Sequence, residues 1–324
     1  MSFNDIIKYF SSEEYKQNLK SEYSHSVPLA KGCEKTVRIT ADNDSNSSHQ
    51  TTHLVKPIIK KVFLCIPPTA ENVEKFEVEY SKNLEINLEM IKDGINVVQI
   101  FGYFKQDGEY VEVQEQAPGN VVHFLSKKNV ETQLLTTEEK GLPKDEKTAL
   151  VKQRQQEYNL KMQQELLDAP QELYDKFLAD AKLLMLKYNQ PLIDVSNSEN
   201  VTFSPEKGFF FIDLEPYSNL SLTAKNKPAT DMELIKTISW LFSNIDAYYT
   251  GLEDDKVYFA HKRANKTIIT KFANAIINNH FDLTKENLQA VERIIIDRCS
   301  KLDGPEVAED FKRQYMAKVK NFNQ

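Results

Sequence analysis

The chain is predicted to be α+β, with a small antiparallel sheet and one main helix in its first third and a mostly helical remainder. Three observations lead there. Alternating apolar patterns crowd before residue 116, helical periodicity dominates after 117, and one short strand pair near 200–212 interrupts the helices. That order is neither a repeat array nor an alternating βαβ sheet. At 324 residues the chain is long enough for two packed lobes, and 40% hydrophobic with 27% charged residues is the composition of a folded globular protein.

The elements follow in order. Ser11 and Glu14 have capping-box spacing and predict a helix to about Tyr23. Strands are expected at Ser26–Ala30 and Thr36–Thr40, where Val37 and Ile39 alternate, followed by the polar loop ADNDSNSSHQ at 41–50. Thr51–Ile58 and Val62–Ile66 read as further strands. From Thr69 to Asp93 apolar residues recur at Val73, Phe76, Tyr80, Leu84, Leu88 and Ile91, a helical period stopped by Gly94. Val97–Phe104 and Glu109–Glu115 alternate around a turn at Gln106-Asp107-Gly108. Helices are then expected at Lys144–Leu167, Leu173–Tyr188, and roughly 231–249, 256–279, 284–299 and 305–320. The Lys144–Leu167 stretch reads as a solvated helix with a modest apolar seam of Val151, Tyr158, Met162 and Leu166, a seam that could also dock a partner.

Composition excludes several function classes. A formal charge of −7 argues against nucleic acid or an anionic membrane surface as partner. No apolar run approaches the ~20 residues that span a bilayer. Met1–Phe10 mixes acidic and polar residues into a short amphipathic stretch, unlike a Sec signal peptide. The three cysteines (Cys33, Cys65 and Cys299) lack metal-ligand spacing and suit a reducing compartment. A cytoplasmic location is expected, with delivery to a host cell by a specialised secretion system kept open.

The informative segment is PLIDVSNSENVTFSPEKGFFFIDLEP, residues 191–216. Asp194 ends an apolar approach, Asn200 follows a short polar loop, and Asp213 comes just after Phe209-Phe210-Phe211-Ile212. A carboxylate with a neutral amide is a hard-oxygen set suited to Mg²⁺. A second carboxylate can orient or deprotonate an attacking hydroxyl. Phosphoryl transfer needs little more from a protein than such positioning and charge stabilisation.

In these residues the chain resembles the protein-kinase superfamily, whose base Asp is followed by a loop Asn, a strand pair and a metal-binding Asp. The resemblance implies Asp194 as catalytic Asp, and Asn200 and Asp213 as metal ligands. The thirteen-residue step from Asn200 to Asp213 matches, as does the strand–turn–strand between them. There are departures. Leu-Ile-Asp replaces His-Arg-Asp, and Asp194 to Asn200 is six residues where the motif has about five. Asp213-Leu214-Glu215 stands in place of Asp-Phe-Gly and is more similar to aminoglycoside-type phosphotransferases and divergent bacterial effector kinases. No Ala-Pro-Glu follows, and Leu214–Thr230 is short, so control by activation-loop phosphorylation is not expected.

Upstream, residues 97–119 look like the strands leading into a kinase hinge. This implies that the backbone of Glu115 to Ala117 binds adenine, with Gln114 behind it; an ordinary hairpin is the plain alternative. Lys56, after an apolar lead-in, is the candidate phosphate-contacting lysine, while Val62–Cys65 is a competing strand that would put Cys65 at that position. Glu85 is the candidate partner on the helix, with Glu79 and Glu89 as alternatives. Gly32, in Lys31-Gly32-Cys33-Glu34-Lys35, occupies the place of the phosphate-covering loop, with one glycine against three.

The resemblance thus implies a bilobed protein-kinase-like fold: residues 1–23 as a helical extension, 24–116 as a nucleotide-binding lobe, and 117–324 as a helical lobe with the catalytic loop at 191–216 and a helical insertion at about 126–168. It implies ATP and Mg²⁺ as cofactors and a hydroxyl of a small molecule or protein as acceptor. A pseudokinase that binds nucleotide or a partner without transfer, and a kinase-fold nucleotidyltransferase, are the alternatives.

Overall fold

The computed structural model describes residues 3–31, 36–40, 61–66, 73–106, 108–122, 130–131, 134–191, 200–214, 230–247, 255–299 and 303–322. The protein is α+β with two small antiparallel sheets. It divides into two compact units, one centred on Met1–Ala117 and the other formed by Pro118–Leu214 with Lys227–Gln324.

The first unit runs α1 (Phe3–Phe10), α2 (Glu13–Ser24), β1 (Ser26–Lys31), β2 (Thr36–Thr40), β3 (Lys61–Ile66), α3 (Val73–Lys92), β4 (Ile100–Gln106) and β5 (Glu109–Glu115). Its sheet has the antiparallel order β1-β2-β3-β5-β4. Strand alternation puts Phe63, Cys65, Val111 and Val113 on one buried face, where Phe10 of α1 and Tyr15 and Leu19 of α2 complete the core. The Tyr23 ring meets Phe63 and Phe104 with centroids 5.6 and 5.7 Å away, and its hydroxyl lies 3.3 Å from Cys65 Sγ. Residues 3–23 therefore fold as part of the same unit as the sheet.

The cap of α2 falls one residue later than the sequence suggests. Ser11 N–H still closes the last turn of α1 on the Ile7 carbonyl, so Ser12 is the first extended residue. Its hydroxyl accepts from Tyr15 N–H at 3.2 Å. α3 ends where Gly94 predicted. Gly94 has φ +81°, and the Gly94 and Ile95 N–H groups close on the carbonyls of Ile91 and Met90. Buried Asn87 ties this helix to β4, donating to the Val98 carbonyl and accepting from Ile100 N–H, both at 2.8 Å.

The second unit contains β6 (Asn120–Val121), α4 (Thr137–Lys140), α5 (Lys144–Asp168), α6 (Gln171–Leu186), β7 (Val201–Ser204), β8 (Gly208–Phe211), α7 (Asp231–Ala247), α8 (Asp255–Asn278), α9 (Lys285–Arg298) and α10 (Gly304–Phe322). α5 is the solvated helix with an apolar seam that the sequence predicts, most of its residues exposed or half-buried. Val151, Met162 and Leu166 are buried, and Gln163 Nε2 donates to Asn265 Oδ1 of α8 at 2.6 Å. The Lys271 ammonium of α8 caps the end of α5 at the Leu167 and Ala169 carbonyls. Among the described residues, the seam packs against partners within the same unit. Among the described residues, no helix is long and apolar enough to cross a membrane.

Candidate functional site

The three-stranded sheet β6-β7-β8 carries two of the residues singled out in the sequence. β7 and β8 pair from Ser204↔Gly208 at the turn to Val201↔Phe211 at the open end. One step further, the Asn200 carbonyl accepts from Ile212 N–H at 2.8 Å. This register brings Asn200 and Asp213 to the same open end of the hairpin, thirteen residues apart in sequence, Asn200 just before β7 and Asp213 two residues past β8.

The hairpin is held firmly. Phe203, Phe209 and Phe211 are buried, and the Phe177 ring of α6 lies 4.6 Å from Phe209 and 5.2 Å from Phe211, centroid to centroid. The aromatic run read from the sequence is thus an anchor into the helical layer. On the other side, β6 pairs with β7 through Asn120↔Phe203 and Val121↔Thr202. Gly119, with φ +77°, makes that approach possible, since a Cβ there would sit 1.8 Å from the Phe203 carbonyl oxygen.

Asp213 is exposed and has φ +53°, a left-handed backbone in a residue that is not glycine. Asp is among the side chains that tolerate this conformation, at about 1 kcal/mol or more. Such outliers concentrate at functional sites. One carboxylate and one amide oxygen suit Mg²⁺, with water completing the shell. Among the described residues, no cluster of three or more His, Cys, Asp and Glu could hold a metal ion. Asp194 lies outside the described residues, as do Lys56 and Gly32.

The remaining candidates belong to the first unit. Glu115 ends β5 opposite Lys61, and its N–H donates to the Gln99 carbonyl at 2.8 Å. Ala117 lies beyond the last ladder pair and is half-buried. Gln114 is buried, with Nε2 donating to Glu112 at 3.1 Å. Glu85 is exposed on α3 and lines a groove to which β3 contributes no residue.

The strand beside β5 is Lys61–Ile66, the one the sequence offered as a competitor to 51–58. Its lysine, Lys61, is mostly withdrawn from water and meets both Glu22 oxygens of α2 at 2.6 and 2.5 Å. Sequence reasoning missed this pair. The signal was present in Lys61-Val62-Phe63-Leu64-Cys65, where alternation places the lysine on the same face as Phe63 and Cys65, toward α2. No protein-family model matches the chain, and no curated protein matches it.

Proposed function

We propose that the chain is a Mg-ATP-dependent phosphotransferase acting on a hydroxyl of a small molecule or protein. The observation that carries this reading is the register of the β7–β8 hairpin, which sets Asn200 and left-handed Asp213 together at one open end of a buried aromatic anchor. In this reading Asn200 and Asp213 hold magnesium, which neutralises charge on the phosphates. Asp194 orients the acceptor hydroxyl and takes its proton. The backbone of Glu115 and Ala117 is the adenine edge, Gly32 allows the chain to approach phosphate, and Lys56 contacts it. The short stretch after Asp213 favours a small acceptor over a folded protein.

A second reading is nucleotide binding without transfer. It is favoured by the engagement of Lys61, the lysine of β3, in a two-oxygen contact with Glu22.

Thermal-shift titration with ATP, with and without Mg²⁺, tests the proposal. Mg-dependent stabilisation that Asp213→Ala abolishes is expected. Label transferred from the γ-position of ATP identifies phosphorylation, and label from the α-position identifies nucleotidyl transfer. Stabilisation without transfer of either label selects the second reading. No stabilisation under any condition sinks both.

A further inference from the structure

We infer that the free edge of β4 is a docking site for an extended, polar segment of another polypeptide, which pairs there as a further strand of the first sheet. β4 ends the order β1-β2-β3-β5-β4, and among the described residues no strand lies on its other side. A groove of about 810 Å³ follows that edge. The β4 residues lining it are consecutive: Gly102, Tyr103, Phe104 and Lys105. Successive side chains of a strand point to opposite faces, and here Tyr103 stacks on Tyr80 of α3 while Phe104 meets Tyr23 of α2. What the four residues together turn toward one groove is the backbone at the strand edge.

Register says which backbone groups face it. Gln106 pairs with Glu109 across the turn, where the turn's own hydrogen bond closes the pair. Bonded and non-bonded pairs alternate from there, so Phe104↔Val111 is bonded, and Tyr103↔Glu112 and Lys105↔Tyr110 are not. The N–H and C=O of Tyr103 and Lys105 therefore point outward, at the spacing a further strand needs. Such an edge is a template for an incoming extended chain, whose main chain supplies the matching groups. The walls select its side chains. Lys16, Lys20 and Glu13 of α2 and Lys82 and Glu85 of α3 line the groove, with Lys16 already 2.8 Å from Glu13. Leu84, Tyr103 and Tyr110 are buried. Recognition falls to the main chain, and polar side chains of the incoming segment meet walls charged in both signs. This inference goes beyond the phosphotransfer reading and does not depend on it.

The test selects peptides from a displayed library of random heptapeptides on the full chain, then titrates the enriched peptide by calorimetry. Pairing uses only alternate N–H groups of the peptide. N-methylation at alternate residues should therefore weaken binding by about tenfold or more in one phase and leave it unchanged in the other. Lys105→Pro removes an outward N–H, a change an edge strand tolerates, and should weaken binding by about tenfold or more. In the unsubstituted chain, amide exchange at Lys105 should slow when the peptide is bound, which decides the matter even if the proline variant fails to fold. The inference is overturned if no peptide is enriched, or if both phases of methylation act alike. It is equally overturned by unchanged affinity in Lys105→Pro with its melting transition intact, or by unchanged exchange at Lys105.

Discussion

At the start of β3, the Lys61 ammonium meets both oxygens of Glu22 and is largely withdrawn from water. At the open end of the β7–β8 hairpin, Asp213 is exposed on a left-handed backbone beside the Asn200–Ile212 rung. The first arrangement spends its charge inside the fold, tying α2 to the sheet it covers. The second leaves Asp213 exposed on a backbone conformation uncommon for a residue other than glycine. The contrast is between a largely buried charge that ties two elements together and an exposed charge at the mouth of a hairpin, and substitutions can test it.

The largest effect is expected at the support of the hairpin. Gly119→Ala forces a Cβ into the Phe203 carbonyl at a positive φ, and urea unfolding should show a loss of about 4 kcal/mol or more. Unchanged stability would mean that β6 does not approach β7 so closely. Next, Leu19→Ala removes a fully buried side chain where α2 meets the sheet, and about 3 kcal/mol should be lost in the same measurement. An effect near zero would make α2 a dispensable extension.

Glu22→Ala leaves Lys61 without its carboxylate. Because Glu22 itself is partly exposed, the expected loss is smaller, about 1–2 kcal/mol. Asp213→Gly should change stability by under about 0.5 kcal/mol, because relief of the left-handed backbone offsets the greater freedom of glycine in the unfolded chain. The same variant should lose Mg-dependent nucleotide stabilisation. If Asp213→Gly destabilises as much as Glu22→Ala, the contrast between the two sites fails.

The smallest effect concerns pH. Burial, and then the neighbouring Cys65 thiol, push the Tyr23 hydroxyl up to about 12. As pH rises, the unfolded chain gives up this proton first, so the stabilisation is complete below about pH 10 and is lost as pH passes through about 12. The urea midpoint should fall across that window, and Tyr23→Phe should flatten part of the slope.

Much of the fold was legible because it rests on local pattern. The α3 stop at Gly94, the β4–β5 hairpin at Gly108 and the β7–β8 turn at Gly208 each follow from a glycine at positive φ beside periodic apolar residues. The cap of α2 was misplaced by one residue because α1 claims Ser11, which the Ser11–Glu14 spacing does not reveal. Helical periodicity marks the apolar seam of α5 without saying what covers it: Val151 packs with Val130 and Leu135, and Gln163 meets Asn265 of α8, a hundred residues later. The pairing of Lys61 with Glu22 was missed because α2 was treated as standing before the sheet rather than over it.

Side-chain chemistry and short-range periodicity, both written in the order of residues, were enough to give the α+β class, the strand pair around 200–212 and the oxygen-bearing residues at its ends. Which strand lies beside β5 and which helix holds its lysine depended on register and long-range packing. Those are set by how buried faces fit one another across the chain, and a pattern of neighbouring residues carries no measure of that fit.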